Sequence, residues 1–266
     1  MVLAVVKIIC VLLLSIVAGC SQDADNQPQI MVFAAASLND VMTEVGESFE
    51  QAHGIKVNFN FAGSNVLAQQ LIAAPRADLF ISANKAWMRR LGQAGRIVPG
   101  SRQVVLGNKL VVIVNRNSSL RGNPGKLFCR PEYEYLSIGN PQAVPAGIYA
   151  RQWLEKLSCD NSSGSAWDAV SERIAPAPNV RVALGLVEAD RDIPGIVYAT
   201  DAAMSDKVTV IYEVGGSNAP DIAYHAALVE NKSEHELTRL FLQFMSGEKA
   251  RKVFQSYGFS VPEVSE

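Results

Sequence analysis

The sequence predicts an α/β fold with mainly parallel sheets, and three observations carry that expectation. Short apolar strand patterns alternate with amphipathic helical ones from residue 30 onward, without internal repeats or long linkers. Of the 266 residues, 48% are apolar and 19% charged, a globular composition ample for one large or two medium domains. Serines and small residues also recur where a strand hands over to a helix, the place where ligands bind in such sheets. A formal net charge of −2 and a pI of about 6.0 exclude a basic field that would attract nucleic acid or an anionic membrane. Any anion site must therefore rely on local dipoles.

The first segment, Met1 to Ala18, is almost wholly apolar, with Lys7 as its sole charge, and reads as a signal peptide over residues 1–19. It closes on Val17-Ala18-Gly19-Cys20, a lipobox-like pattern in which cleavage would leave Cys20 to carry lipid. Polar residues 20–29 then form a tether. No later apolar stretch approaches the ~20 residues needed to span a bilayer. The expectation is an exported protein, at the periplasm or cell surface, held to a membrane only through lipid on Cys20. With Cys10 in the signal and Cys20 at the lipobox, Cys129 and Cys159 remain, and an oxidising compartment suggests one disulfide between them. The scattered His53, His225 and His235, without any CxxC pair, give no zinc pattern.

The run Met31–Ala36 ends at Ser37, and Leu38, Val41, Met42, Val45, Phe49 and Ala52 then share one face. That spacing predicts a helix from Leu38 to about His53, with Ser37 as N-cap and Asp40 in the first turn. A strand delivering a hydroxyl and free N–H groups to a helix N-terminus is an anion site in outline. Residues 55–61 alternate as a half-buried strand, and Ala62-Gly63-Ser64-Asn65 opens the next helix. Ser64 repeats the arrangement of Ser37, with Gly63 allowing close backbone approach. Asp78–Ser82 reads as a strand, and Asn84–Leu91 as a helix whose Trp87 is a packing aromatic.

Gly107–Val114 reads as one continuous apolar strand, buried on both faces and suited to cross between two lobes. Residues 115–129 are rich in Gly, Asn, Ser and Pro, hence loop. A strand at Leu136–Gly139 leads through Pro145 to a helix over Ile148–Leu157; Ala146 and Gly147 can act only through backbone N–H groups. Residues 158–165 form a polar loop in which the triplet Asn161-Ser162-Ser163 carries no weight. Pro176 and Pro178 flank a connector, and Asn179 caps a helix carrying Val180, Ala183, Leu184 and Val187. Residues 193–199 form a strand ending at Tyr198, with Thr200-Asp201 capping a short helix; strands at 208–213 and 224–229 and two terminal helices follow.

The set FAAASL (33–38), FAGS–N (61–65), ADLFISA (77–83), VPAGIYA (144–150), APAPNVR (175–181), GIVYA–DA (195–202) and YGF (257–259) resembles the molybdate-binding proteins of ABC importers. The resemblance spans nearly all of residues 30–260. It implies a two-lobed type II periplasmic binding protein fold, with lobe 1 from 30–110 and 225–266, lobe 2 from 111–224, and the ligand in the inter-lobe cleft. It implies a tetrahedral oxyanion, molybdate or tungstate, held by Ser37 and Ser64 through hydroxyl and N–H groups, by the backbone N–H groups of Ala146 and Val180, and by the phenol of Tyr198. It also implies a monomer without cofactor, catalysis or a bound cation, serving membrane permease and ATPase subunits. Gly63 departs from relatives that have serine there. Neutral donors suit a dianion stripped of water, and an all-donor cleft leaves the O–H of hydrogen phosphate unpaired. The alternatives are another oxyanion such as sulfate, or a serine hydrolase. The latter lacks both a GxSxG elbow and a base beside either serine.

Overall fold

The computed structural model describes residues 27–159, 164–231 and 235–262. The signal segment, Cys20, most of the tether and the Asn161 triplet lie outside those residues. Two five-stranded sheets, each flanked by helices, form the two lobes.

The first sheet has the order β2 (Lys56–Ala62), β1 (Gln29–Ala35), β3 (Leu79–Ser82), β10 (Ile222–Leu228), β4 (Gln103–Asn108). Its helices are α1 (Asn39–His53), α2 (Ser64–Ala73), α3 (Lys85–Gln93), α9 (Glu236–Ser246) and α10 (Glu248–Ser256). The second sheet runs β7 (Ile174–Ala177), β6 (Leu136–Gly139), β8 (Gly195–Tyr198), β5 (Leu110–Asn115), β9 (Val208–Glu213). Around it lie α4 (Pro124–Cys129), α5 (Pro145–Lys156), α6 (Ala166–Val170), α7 (Val180–Ala189) and α8 (Ala199–Ala203).

The sheets are mixed, not mainly parallel. β1 pairs parallel with β2 and β3, and β6 with β7 and β8, whereas β10 and β5 run antiparallel to both of their neighbours. β5 and β10 are the strands that enter a sheet directly from the other lobe. Without a helical crossover, nothing constrains them to run parallel.

The apolar run at 107–114 is two strands. It breaks at Lys109, so that β4 completes the first sheet and β5 enters the second. Lys109 donates its N–H to Asn108 Oδ1 at 2.8 Å, and its carbonyl accepts from Ala199. The polar triplet Gly107-Asn108-Lys109 is the seam, between the apolar Val104–Leu106 of β4 and Leu110–Val114 of β5. The return crossing occupies residues 214–221. Against the bounds expected at 110 and 224, Leu110 already sits in the second sheet and Ile222 in the first.

Most of the stripe expected on the first helix is buried: Leu38 just before α1 and Val41, Met42, Val45 and Phe49 within it face the core, whereas Ala52, in the last turn before the left-handed Gly54, is exposed. Phe49 meets Phe241 and Phe244 of α9 edge-on, with ring centroids 5.0 and 5.3 Å apart. Residues 115–129 are not all loop. Asn123 accepts from Lys126 N–H and Pro124 occupies N1, starting α4 by ordinary capping chemistry. β7 includes Pro176, which is admissible because β7 is an edge strand. The unforeseen α6 begins with a Ser165/Asp168 capping box. Cys129, at the end of α4, is disulfide-bonded to Cys159, with Cα atoms 5.4 Å apart.

Candidate functional site

Four strand-to-helix junctions converge on one pocket between the lobes. Its lining includes Ala36, Ser37, Gly63, Ser64, Ala83, Val144, Pro145, Ala146, Asn179, Val180 and Tyr198, around about 220 Å³ of space including its mouth. All five residues expected from the sequence are there, and no charged side chain is among the lining residues.

The lobe 1 half comes from β1 and β2. After β1 a 3-10 turn (Ala36–Leu38) precedes α1, so Ser37 lies inside that turn and is not the N-cap of the helix. Its hydroxyl points inward, 2.8 Å from the phenol oxygen of the buried Tyr224, which removes it from capping geometry. Ser64 is the first residue of α2, behind Gly63. Its oxygen accepts the N–H of Ala83 at 3.0 Å, which leaves the hydroxyl proton free for the cleft.

The lobe 2 half comes from β6, β7 and β8. α5 begins at Pro145, earlier than expected, so Ala146 and Gly147 form its first turn and their N–H groups have no intrahelical acceptor. Asn179 caps α7 through Val182 N–H at 3.0 Å, placing Val180 at the first helical position. Tyr198 ends β8, 1% exposed, and its hydroxyl has no hydrogen-bond partner among the described residues. Burial pushes its pKa well up, with further upward pressure from Tyr224, Tyr149 and Asp201, so the phenol stays a donor. A buried donor without an acceptor is destabilising unless something in the pocket accepts it. Neutral O–H and N–H donors at helix starts are what a desolvated oxyanion requires.

Several groups that hold the lobes together were not foreseen. Arg181, next to Val180, bonds Asp40 of α1 across the cleft at 2.6 Å and pairs with the fully buried Asp201. Asp201 and Thr200 lie within α8 and do not cap it, because the helix starts directly after Tyr198. Burial raises the Asp201 carboxyl to about 6, with Arg181 opposing the rise. Trp87 packs as expected, but its indole N–H also donates to Ala143 O of the other lobe at 2.7 Å. A Cβ at Gly63 would sit 2.7 Å from the Pro178 carbonyl oxygen, so a side chain there would press on the opposite lobe. Single polar residues in apolar surroundings, such as Tyr224 and Asp201, were the signal available in the sequence.

Two mixed sheets joined by paired crossings, with an uncharged cleft at helix starts between them, define a two-lobed solute-binding protein. The family model for bacterial extracellular solute-binding proteins matches residues 30–260, and the chain belongs to that family. It is 35% identical over 249 residues to the molybdate-binding protein ModA of Escherichia coli K12, covering 89% of this chain and 90% of the relative. It is 31% identical over 252 residues to YvgL of Bacillus subtilis, covering 92% and 93%; that name includes the words ABC transporter substrate-binding lipoprotein. The solved Azotobacter vinelandii periplasmic molybdate-binding protein has the same fold, with a TM-score of 0.74 at 22% identity over 88% of this chain and 100% of that one.

Proposed function

We propose that this protein captures molybdate, and tungstate with it, and delivers the anion to the permease and ATPase subunits of an ABC importer. Five residues hold the anion: Ser37 and Ser64 by hydroxyl and backbone N–H groups, Ala146 and Val180 by backbone N–H, and Tyr198 by its phenol. The observation that carries this reading is Tyr198, whose buried hydroxyl faces an uncharged, donor-lined pocket without a protein acceptor. The names of the relatives support molybdate as the solute. The protein acts as a monomeric binding protein, not an enzyme, held at the membrane by lipid on Cys20. Among the described residues no group of His, Cys, Asp and Glu is arranged to hold a metal ion. A cargo bound as an oxyanion suits the uncharged pocket at helix starts.

A thermal-shift panel of molybdate, tungstate, sulfate, phosphate and chromate on the mature domain tests the reading. Molybdate and tungstate should raise the melting temperature at micromolar concentration, sulfate and phosphate far less. Stabilisation by sulfate alone would reassign the solute. No shift with any of the five would overturn the oxyanion reading.

A further inference from the structure

Behind Ser37 lies a hydrogen-bonded chain that does not itself line the pocket. Asn108, the last residue of β4, has its amide orientation set by Lys109, whose backbone N–H can only donate and reaches Asn108 Oδ1 at 2.8 Å. The Nδ2 group must then face the other way, where it donates to Thr200 Oγ1 at 2.8 Å and to Tyr224 Oη at 3.2 Å. Tyr224 Oη thus already accepts one bond. Among the described residues its one remaining hydrogen-bonding neighbour is Ser37 Oγ, at 2.8 Å. If Ser37 donated to Tyr224, the fully buried phenol would accept twice and its own proton would have no acceptor. The satisfied arrangement runs one way: Asn108 donates to Tyr224, Tyr224 donates to Ser37, and the Ser37 proton is left for the cleft.

We propose that Asn108 and Tyr224 are positioning residues that set the direction of the Ser37 hydroxyl and so make the cleft reject protonated oxyanions. This rests on the oxyanion reading above and extends it to selectivity. An oxyanion that carries its own proton needs an acceptor. Ser37, with one lone pair taken by Tyr224 and its proton turned to the cleft, presents a donor there and not an acceptor. Burial raises the Tyr224 pKa well above its ordinary value, with Ser37 and Asn108 opposing the rise, so the phenol proton stays in place across the physiological range. Because Asn108 sits at the lobe crossing and also grips Thr200 of lobe 2, the chain is completed by groups from both lobes.

The chain can be reversed by a near-isosteric change. In Asn108→Asp, at mildly alkaline pH, the carboxylate still accepts from Lys109 N–H but can only accept from Tyr224. The phenol then turns its proton toward residue 108 and accepts from Ser37, whose lone pairs are left facing the cleft. Phosphate and sulfate are both dianions there and close in size, so the added carboxylate repels them alike and their affinity ratio isolates the bonding sense. Each is measured by competition against bound molybdate. Asn108→Asp should raise the phosphate-to-sulfate affinity ratio at least tenfold over the parent. Tyr224→Phe, which frees the Ser37 oxygen, should raise it by a smaller factor and supplies the answer if the first variant does not melt cooperatively. A ratio within twofold of the parent in a cooperatively folded variant overturns the proposal. So does a parallel rise of both anions, which would indicate a loosened cleft. Failure of the parent to bind molybdate would instead remove the oxyanion reading itself.

Discussion

Replacing Tyr198 by Phe should move affinity and stability in opposite directions. The phenol is buried, and its hydroxyl has no protein acceptor among the described residues. Such a group destabilises a fold by about 1–3 kcal/mol, and deleting it should recover part of that. For a chain of this size each kcal/mol moves the melting temperature by roughly 2–4 °C, so the ligand-free Tyr198→Phe protein should melt several degrees above the parent. On the proposed binding mode the same hydroxyl donates to a charged oxygen, worth about 1.5–3 kcal/mol, so molybdate affinity should fall about ten- to a hundredfold. Calorimetric titration gives the affinity and scanning calorimetry of the ligand-free forms gives the stability. Unchanged affinity would refute the assignment of Tyr198 to the ligand. Lowered stability together with lowered affinity would show that the phenol has a structural partner.

Three further outcomes follow from the same geometry. Ser64→Ala removes the hydroxyl that takes Ala83 N–H and faces the cleft, so molybdate affinity should drop about tenfold or more by titration. For Asp201, raised by burial to about 6, the folded state holds a proton that the unfolded state has already released. Its contribution is therefore complete below the ordinary carboxylate pKa and lost as pH rises through about 6. Asn at 201 stays neutral, so the melting temperature of Asp201→Asn should gain on that of the parent between pH 4 and 6.5; parallel curves would contradict the shift. Cys159→Ser opens a link of sequence separation 30 and should lower stability by about 3–4 kcal/mol in the chain-entropy model, read by denaturant titration.

The sequence made the pocket legible because its parts are local. A serine or small residue at the end of an apolar strand, followed by a helical stripe, marks a helix N-terminus wherever it falls, and Ser37, Ser64, Ala146 and Val180 all stand at such junctions. What joins the junctions is not local. Ser37 finds Tyr224 at a separation of 187 residues, and Arg181 finds Asp40 at 141. Neither pairing leaves a periodicity. The break at Lys109 went unread although Gly107-Asn108-Lys109 interrupts the apolar run: β4 is a partly exposed edge strand, and only β5 is buried throughout. Short capped helices such as α4 and α6 went unread because five or six residues are too few to show a helical stripe, although Asn123 and Ser165 carried their caps in plain sight.

The position of β10 sets an order of assembly. The strand lies between β3 and β4 in space but is made of residues 222–228, after the whole second sheet. A chain emerging from its N-terminus therefore finishes the continuous stretch from Leu110 to Glu213 while β3 still lacks its neighbour. Until β10 arrives, Leu79 to Ser82 present an open sheet edge whose residues are all buried in the finished protein. Open apolar edges are where partly made chains aggregate. The nested arrangement that brings two lobes together thus leaves the first lobe dependent on the last part of the chain to be made, and truncation before residue 222 removes an interior strand, the one that joins β4 to β3, from a sheet whose other members are all present.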